Sequence, residues 1–188
     1  MQKHKGSKIS GPEFKITIVG NGSVGKTSLI HRFCDESFQK TYLATVGVDI
    51  TTKAVDLDPI YDKTITLVFW DIAGQERFKN HRSVFYKGTK GVIMVCDSTN
   101  LASVETLPDW HEEVKKSCGE DIPTILLVNK IDLTDQRKIN QEQIDKIQSI
   151  LNIPKNSIFE TSALVGNNVD KAFFAFGEFF AKKYLEKK

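Results

Sequence analysis

The sequence has few cysteines and no long apolar stretch. Its 188 residues include three cysteines, an odd number that is too small for a disulfide framework. There is no CxxC pair and no His/Cys cluster with the spacing of a zinc site. No run reaches the roughly 18 apolar residues that a transmembrane helix needs, and residues 1–10 are polar and basic, unlike a secretory signal. These absences lead us to expect a cytoplasmic protein in a reducing compartment.

The sequence also lacks a large excess of positive or negative charge. The formal net charge is +2, of which residues 1–13 contribute +2 and residues 182–188 contribute +3, so the body between them carries −3. A body of that sign argues against nucleic-acid binding. Basic ends are typical of solubilising tails, with contact to an anionic membrane as the alternative. We expect a disordered basic lead over residues 1–13, one domain over residues 14–185, and a basic end at residues 186–188.

Apolar patterning predicts β-strands at six places. Residues 14–19 alternate apolar and polar side chains, which is typical of a strand. Residues 46–57 and 64–70 are rich in β-branched side chains, and the short connection at Asp58-Pro59 favours an antiparallel hairpin, because a parallel pair needs a crossover of about a dozen residues or more. Three later runs are almost wholly apolar, as in strands buried on both faces: 92–96, 124–128 and 157–159.

Helical periodicity separates these strands. It covers residues 26–34, 101–118, 141–151 and 169–185. Pro108 lies inside the second of these segments, where it either starts the helix proper or kinks it. The alternation of strand and helix predicts a three-layer α/β/α fold. Its six-stranded sheet is mostly parallel, strands 2 and 3 form the antiparallel hairpin, and about five helices flank it.

A glycine-rich segment follows the first predicted strand. Residues 20–27, with the sequence GNGSVGKT, fit the pattern GxxxxGK[ST] between a strand and a helix, which is the context of a phosphate-binding loop. Glycines let backbone N–H groups curl round a β-phosphate, and the helix N-terminus adds positive potential. Lys26 is placed to bridge the β- and γ-phosphates, and the Thr27 hydroxyl to ligate Mg²⁺. The alternative is a glycine turn before a solvated lysine, and the loop alone does not separate ATP from GTP.

A second polar segment follows the predicted strand at 124–128. Residues 129–132 have the sequence NKID. The Asp132 carboxylate can accept two hydrogen bonds from the N1–H and 2-amino group of guanine, whereas adenine would leave that charge unpaired. Such unpaired groups reject a wrong ligand by factors of about 10⁴. The alternative is a turn in which Asn129 and Asp132 merely cap the next segment.

Five motifs, taken in order, resemble those of the small GTPases of the Ras superfamily, most closely the Rab branch. The resemblance extends from Phe14 to about Tyr184, and it implies the fold of the P-loop nucleoside triphosphatases. The motifs are the phosphate loop, Thr45 within ATVGVD at 44–49, WDIAGQERF at 70–78, NKID at 129–132, and ETSA at 160–163.

The resemblance implies a role for each motif in phosphate chemistry. Thr45 would close over the γ-phosphate, Asp71 would hold Mg²⁺ through water, and the Gly74 N–H would sense the γ-phosphate. Gln75 would orient the attacking water. The implied catalytic residues are Gln75, Lys26 and Thr45. The implied metal ligands are Thr27, Thr45 and Asp71. The implied phosphate ligands are Gly22, Ser23, Val24, Gly25, Lys26, Thr27, Thr45 and Gly74.

The resemblance also implies a guanine pocket. Phe38 would pack on the ring, unless it is a core aromatic at the helix end; Lys130 would lie along the base; and the Ala163 N–H would meet the guanine O6. Leu164 stands where many relatives have lysine, which would loosen one edge of the pocket. The implied guanine-binding residues are Phe38, Asn129, Lys130, Asp132, Ser162, Ala163 and Leu164.

The expected function is a molecular switch that binds GTP or GDP with Mg²⁺ and slowly hydrolyses GTP, in membrane traffic or a related process. Its loops around Thr45 and at 71–86 would change conformation to control effector binding. No arginine occurs between Cys34 and Thr45, so we expect slow intrinsic turnover and dependence on an activating protein. A GTP-dependent binding module with negligible hydrolysis is one alternative, and a basic-tailed membrane-surface protein is another.

Partners can be expected only by class. The resemblance implies an effector, an exchange factor and a GTPase-activating protein, acting on a monomer. Ile50 and Phe85 replace aromatic residues that Rab proteins often show beside Trp70, so no particular effector follows. No cysteine occurs after Cys118, so the prenylation site of Rab proteins is missing from this sequence. Either the native C-terminus is longer and the protein is peripheral to a membrane, or the protein carries no lipid.

Overall fold

The strands lie in one sheet at the centre of the molecule. The structure, a computed structural model, describes residues 11–34, 47–56, 64–74 and 82–185. The strands are β1 (Glu13–Val19), β2 (Val48–Asp56), β3 (Thr64–Ile72), β4 (Gly91–Asp97), β5 (Thr124–Asn129) and β6 (Ile158–Glu160). Their order across the sheet is β2-β3-β1-β4-β5-β6. All six predicted strands are therefore present.

Strand direction follows the expectation from the connections. β2 and β3 pair antiparallel along their whole length, from Val48 opposite Ile72 to Asp56 opposite Thr64. Every other neighbouring pair is parallel. The carboxyl ends of β1, β3, β4, β5 and β6 consequently meet at one edge of the sheet, where ligands of open α/β sheets bind.

Six α-helices flank the sheet in the described part of the chain. They are α1 (Lys26–Cys34), α2 (Ser83–Tyr86), α3 (Leu101–Glu105), α4 (Leu107–Cys118), α5 (Gln141–Leu151) and α6 (Val169–Leu185). The single helix predicted over residues 101–118 is divided at Thr106. Pro108 lies in the first turn of α4, where its missing N–H costs no intrahelical hydrogen bond. Of the two alternatives for Pro108, the structure therefore has the helix start.

Apolar side chains form a core on each face of the sheet. On one face, α1 and α6 pack through Leu29, Phe33 and Phe173 against the strands. The rings of Phe33 and Phe173 stack with centroids 4.6 Å apart. On the other face, α4 and α5 pack through Trp110 and Ile147. The near-continuous apolar runs of β4 and β5 are explained by this double coverage.

Several expectations fall on other parts of the chain. Phe38, Thr45 and Gln75 lie outside the described residues, as do the Asp58-Pro59 turn, most of the lead and residues 186–188. None of the described helices combines the length and the apolar character that crossing a bilayer requires.

Candidate nucleotide-binding site

The predicted motifs meet at the carboxyl edge of the sheet. Residues 20–25 follow β1, Asp71 is the second-to-last residue of β3, Asp97 ends β4, and Asn129 ends β5. Parallel pairing places Ile18 beside Asp71, and Asp97 beside Asn129. Residues far apart in the sequence thus face one common region.

The phosphate loop wraps the amino group of Lys26. Lys26 Nζ donates hydrogen bonds to the carbonyl oxygens of Gly20 at 2.8 Å and Asn21 at 2.9 Å. An ammonium group has three donors, so one proton remains for a phosphate oxygen. The side chain is only 6% exposed. Burial lowers the pKa of Lys26 to about 8, opposed by the negative charge of Asp71 and assisted by the positive charge of Arg82.

Thr27 and Asp71 form the oxygen-rich part of the site. The Thr27 hydroxyl donates a hydrogen bond to Asp71 Oδ2, and Asp71 is almost wholly buried. Hard oxygen donors of this kind suit Mg²⁺, which keeps several waters and needs only one or two protein ligands beside phosphate oxygens. Among the described residues, no group of three or more His, Cys, Asp or Glu side chains is arranged so that it could hold a metal ion by itself. The donor set therefore fits a magnesium ion that shares its ligands with a nucleotide.

Asn129, the first residue of the NKID segment, contacts the phosphate loop. Its Nδ2 donates to the Val24 carbonyl at 2.9 Å, and its Oδ1 accepts from the Ala163 N–H at 3.1 Å. Gly25 has a φ of +100°, and a Cβ there would lie 2.3 Å from Asn129 Nδ2. Only glycine leaves room for this contact, so the pattern GxxxxGK has a second function here besides phosphate binding.

The base-reading loop, residues 162–165, closes one side of a pocket. Ser162 Oγ donates to Asp132 Oδ1 and accepts from the Val165 N–H at 3.2 Å. The pocket has a volume of about 210 Å³ and is lined by Gly25, Ser28, Asn129, Lys130, Asp132, Leu133, Ala163 and Leu164. Complete ligand clefts measure about 300–1,000 Å³, so a pocket of this size suits a part of a ligand such as a flat base.

Lys130 is held by an ion pair that the sequence did not predict. Its φ is +65°, and its Nζ lies 2.6 Å from Asp97 Oδ2. Asp97 Oδ1 accepts from the N–H and hydroxyl of Thr99. The position of Asp97 at the carboxyl end of a predicted strand was the available signal. The ion pair fixes the direction of the Lys130 stem beside the pocket.

A model of the Ras family matches residues 15–181. The chain belongs to the Ras family. Its curated Rab relatives include "Ras-related protein Rab-13" of Bos taurus, which is 40% identical over 160 residues, 85% of this chain and 76% of the relative. "Ras-related protein Rab-8B" of Pongo abelii is 35% identical over 161 residues, 86% of this chain and 75% of that protein. "Ras-related protein Rab-10" of Caenorhabditis elegans is 36% identical over 165 residues, covering 88% and 79%.

Family membership establishes the general function. This Ras-family chain is a Rab-like, GTP-binding molecular switch of membrane traffic that hydrolyses GTP. It binds GTP and GDP and acts with regulators and effectors as a class. The alternative of a binding module with negligible hydrolysis is not favoured.

Gly74 is the last described residue of the WDIAGQERF motif. A Cβ at Gly74 would lie 2.3 Å from the Gly20 carbonyl oxygen and 2.6 Å from that of Asn21. The backbone after β3 thus rests directly on the phosphate loop, and any other residue would push the two apart. This contact places the Gly74 backbone, the end of the described part of the motif, beside the phosphate loop.

A buried polar cluster lies behind the phosphate loop, and the sequence did not predict it. Asn21 Oδ1 accepts from Trp110 Nε1 at 2.8 Å and from the Thr106 hydroxyl at 3.0 Å. The Arg82 guanidinium lies 3.8 Å over the Trp110 ring and 3.1 Å from Glu113 Oε2. The cluster ties the phosphate loop to α4 and to the start of α2. No spacing pattern in the sequence marks it, because its members come from three separate segments.

Proposed function

We propose that the nucleotide lies along the carboxyl edge of the sheet, with its phosphates in residues 20–27 and its guanine between residues 129–132 and the base-reading loop. The hydrogen bond from Asn129 Nδ2 to the Val24 carbonyl, 2.9 Å long, is the observation that carries this proposal. It holds the two predicted recognition segments at a fixed separation, as one ligand with a charged end and a flat end requires.

The phosphate end is assigned from charge and donors. Backbone N–H groups of residues 22–27 surround the β-phosphate, and the remaining proton of Lys26 Nζ binds the β- and γ-phosphates. Thr27 and Asp71 hold Mg²⁺, with Thr45 as a further ligand and the Gly74 N–H on the γ-phosphate. The ion supplies neutralisation of charge on the transferred phosphoryl group.

The guanine end is assigned from hydrogen-bonding chemistry. Asp132 accepts from the guanine N1–H and 2-amino group, and Ser162 holds that carboxylate in place. The Ala163 N–H turns from Asn129 Oδ1 to the guanine O6, so one donor serves the protein before binding and the ligand after it. Lys130 and Phe38 cover the two faces of the ring, and Leu164 lies at its edge.

Hydrolysis follows from the same placement. Gln75 orients a water molecule whose oxygen bonds to the γ-phosphorus while the bond to the β–γ bridging oxygen breaks, which gives GDP and inorganic phosphate. Without an arginine supplied in the loop before Thr45, the intrinsic rate is about 10⁻⁴ to 10⁻³ s⁻¹. A GTPase-activating protein then supplies the missing charge.

Single-turnover hydrolysis of bound Mg²⁺-GTP tests this assignment. Gln75→Leu should lower the rate at least about tenfold and leave GTP affinity unchanged, because its amide acts on water and not on the nucleotide. Gln136→Leu, at an exposed glutamine in the turn that follows the NKID segment, is the matched control and should hydrolyse at the wild-type rate. Equal rates in wild type and Gln75→Leu would remove Gln75 from the mechanism.

The remaining assignments concern partners and place. We propose that the switch acts as a monomer on an effector, an exchange factor and a GTPase-activating protein, and not on nucleic acid, whose binding the acidic body disfavours. A cytoplasmic location is supported by the three cysteines, an odd number that is too small for a disulfide framework.

A further inference from the structure

Arg32 connects the helix of the phosphate loop to the base-reading loop. It lies in the last turn of α1, whose first residues are Lys26 and Thr27. Arg32 Nε donates to the Ala163 carbonyl at 2.8 Å, and Arg32 Nη2 donates to the Leu164 carbonyl at 2.7 Å. One helix therefore holds phosphate ligands at its N-terminus and grips the guanine side of the site near its C-terminus.

The two hydrogen bonds orient the backbone of the loop. The guanidinium group presents its N–H donors in a rigid planar fork, so it fixes two consecutive carbonyl groups at once. In a trans peptide the carbonyl and the following N–H point in opposite directions. Arg32 therefore turns the Leu164 N–H away from itself, and Ala163 and Leu164 both line the pocket.

Apolar packing holds Ala163, which is 5% exposed and belongs to the core, but it does not hold the two residues that follow. Leu164 is 43% exposed and Val165 is 67% exposed. Leucine at 164 also brings no side-chain donor to the edge of a base, so the backbone N–H groups of residues 163 and 164 are what the loop can offer there. Their placement consequently depends on polar contacts.

Local backbone hydrogen bonds also hold the loop, from the Ser162 N–H to the Asn167 carbonyl and from the Gly166 N–H to the Ser162 carbonyl. Two of its other polar contacts are made by groups that also face the ligand. Ala163 is held by Asn129, and Ser162 is held by Asp132. These contacts change when the base enters, because Asn129 and Asp132 are base-reading residues. Arg32 contacts the opposite, carbonyl side of the loop, and its stem lies 3.7 Å from where a Cβ of Gly166 would be. The two hydrogen bonds of Arg32 can therefore remain when the nucleotide is bound.

We propose that Arg32 is a positioning residue for guanine recognition: it holds the base-reading loop so that the loop's N–H groups meet the 6-oxo group of the base, and it thereby sets how long the nucleotide stays bound. The inference rests on the guanine placement proposed above. It assigns Arg32 no contact with the nucleotide and no part in hydrolysis.

Nucleotide dissociation from the purified protein tests the proposal. Arg32→Ala should release GDP at least tenfold faster than wild type. Arg32→Lys should fall between the two, because an ammonium group can reach one carbonyl but cannot reproduce the fork. His31→Ala, at the exposed neighbouring position on α1, should release GDP at the wild-type rate. Single-turnover hydrolysis of bound GTP should stay within twofold in all three variants.

A second nucleotide separates positioning from a general structural effect. In 6-thio-GDP the N1–H and 2-amino group remain, but the 6-oxygen is replaced by sulfur, a weak acceptor. Its release from wild type should already be fast, and Arg32→Ala should accelerate it less than threefold. Equal acceleration for both nucleotides, or none for GDP, would overturn the proposal. Failure of wild type to bind GDP would instead refute the proposed function itself.

Discussion

Lys26 carries the positive charge with which the phosphate loop is expected to bind phosphate. Its burial in the fold disfavours the charged form of the amine. Burial lowers its pKa to about 8, below the ordinary value of 10.5. Between these two pH values the unfolded chain binds more protons at this group than the folded chain does. The contribution of Lys26 to stability therefore rises as the pH rises from 8 to 10.5. A bound phosphate reverses this effect, because an opposite charge favours the protonated amine.

Nucleotide binding should therefore take up a proton in the alkaline range. With a pKa of about 8 in the free protein, the proton uptake on GDP binding through this group should be small at neutral pH and should rise toward one proton as the pH increases. Calorimetric titration in two buffers of different ionisation enthalpy measures the uptake. Lys26→Arg should lose the rise, because a guanidinium does not titrate in this range. An uptake in wild type that does not change with pH would contradict the account.

Gly25 tests how closely the two recognition segments must approach. Gly25→Ala places a methyl group 2.3 Å from Asn129 Nδ2, so that amide must leave the Val24 carbonyl. Loss of a buried hydrogen bond costs about 1–3 kcal/mol, so GDP affinity should fall about 5- to 150-fold.

A matched control isolates the steric part of this effect. Gly88→Ala also puts alanine at a positive φ, +79°, but no atom lies within 4 Å of the new methyl group. It should cost about 1–2 kcal/mol of stability and leave GDP affinity unchanged. Equal GDP affinity in Gly25→Ala and wild type would show that the contact with Asn129 is not needed.

At the scale of elements, sequence patterns predicted most of the secondary structure. The hairpin of β2 and β3 followed from a connection too short for a crossover, and β4 and β5 followed from apolar runs that match burial on two faces. The break between α3 and α4 did not follow, because Pro108 is compatible with both a start and a kink. In the structure α4 starts at this point, and the side chains of Trp110 and Thr106 donate hydrogen bonds to Asn21.

Helix α4 supplies the carboxylate that pairs with the buried Arg82 guanidinium. Glu113 accepts from the Tyr86 hydroxyl at 2.7 Å and pairs with Arg82, whose side chain is 2% exposed. Burial and the hydrogen bond to Glu113 raise the pKa of Tyr86 well above its usual range, so the hydroxyl remains a donor at physiological pH. One carboxylate thus serves both the cation and the hydroxyl of the segment at 82–86.

Removing that carboxylate should be costly. Glu113→Ala leaves the Arg82 charge buried without its partner, which should lower the free energy of unfolding by about 3 kcal/mol. Chemical denaturation of the GDP-bound protein measures the loss. Glu112→Ala removes a carboxylate one residue away that pairs with Lys116 on the exposed surface, and it should cost less than about 1 kcal/mol. Similar losses in the two variants would mean that Arg82 finds another acceptor.

At the scale of the whole molecule, the motifs were sufficient to predict what binds but not how the segments are held together. Roles could be proposed for Asp132 and Lys26 from the chemistry of guanine and phosphate, because each is expected to contact the ligand directly. The contacts of Arg32 with residues 163–164, of Asp97 with Lys130, and of Asn21 with Trp110 join segments that only the folded sheet brings together. Such supporting residues have no fixed spacing from the motifs they support.

The central claim is that these joined segments form one guanine-nucleotide site in a GTP-hydrolysing switch. The most direct measurement is to release the nucleotide that co-purifies with the protein, identify it chemically, and then follow the turnover of added Mg²⁺-GTP. We expect GDP as the bound species and GTP turnover of about 10⁻⁴ to 10⁻³ s⁻¹. Recovery of an adenine nucleotide, or GTP turnover near 1 s⁻¹ in the isolated protein, would contradict it.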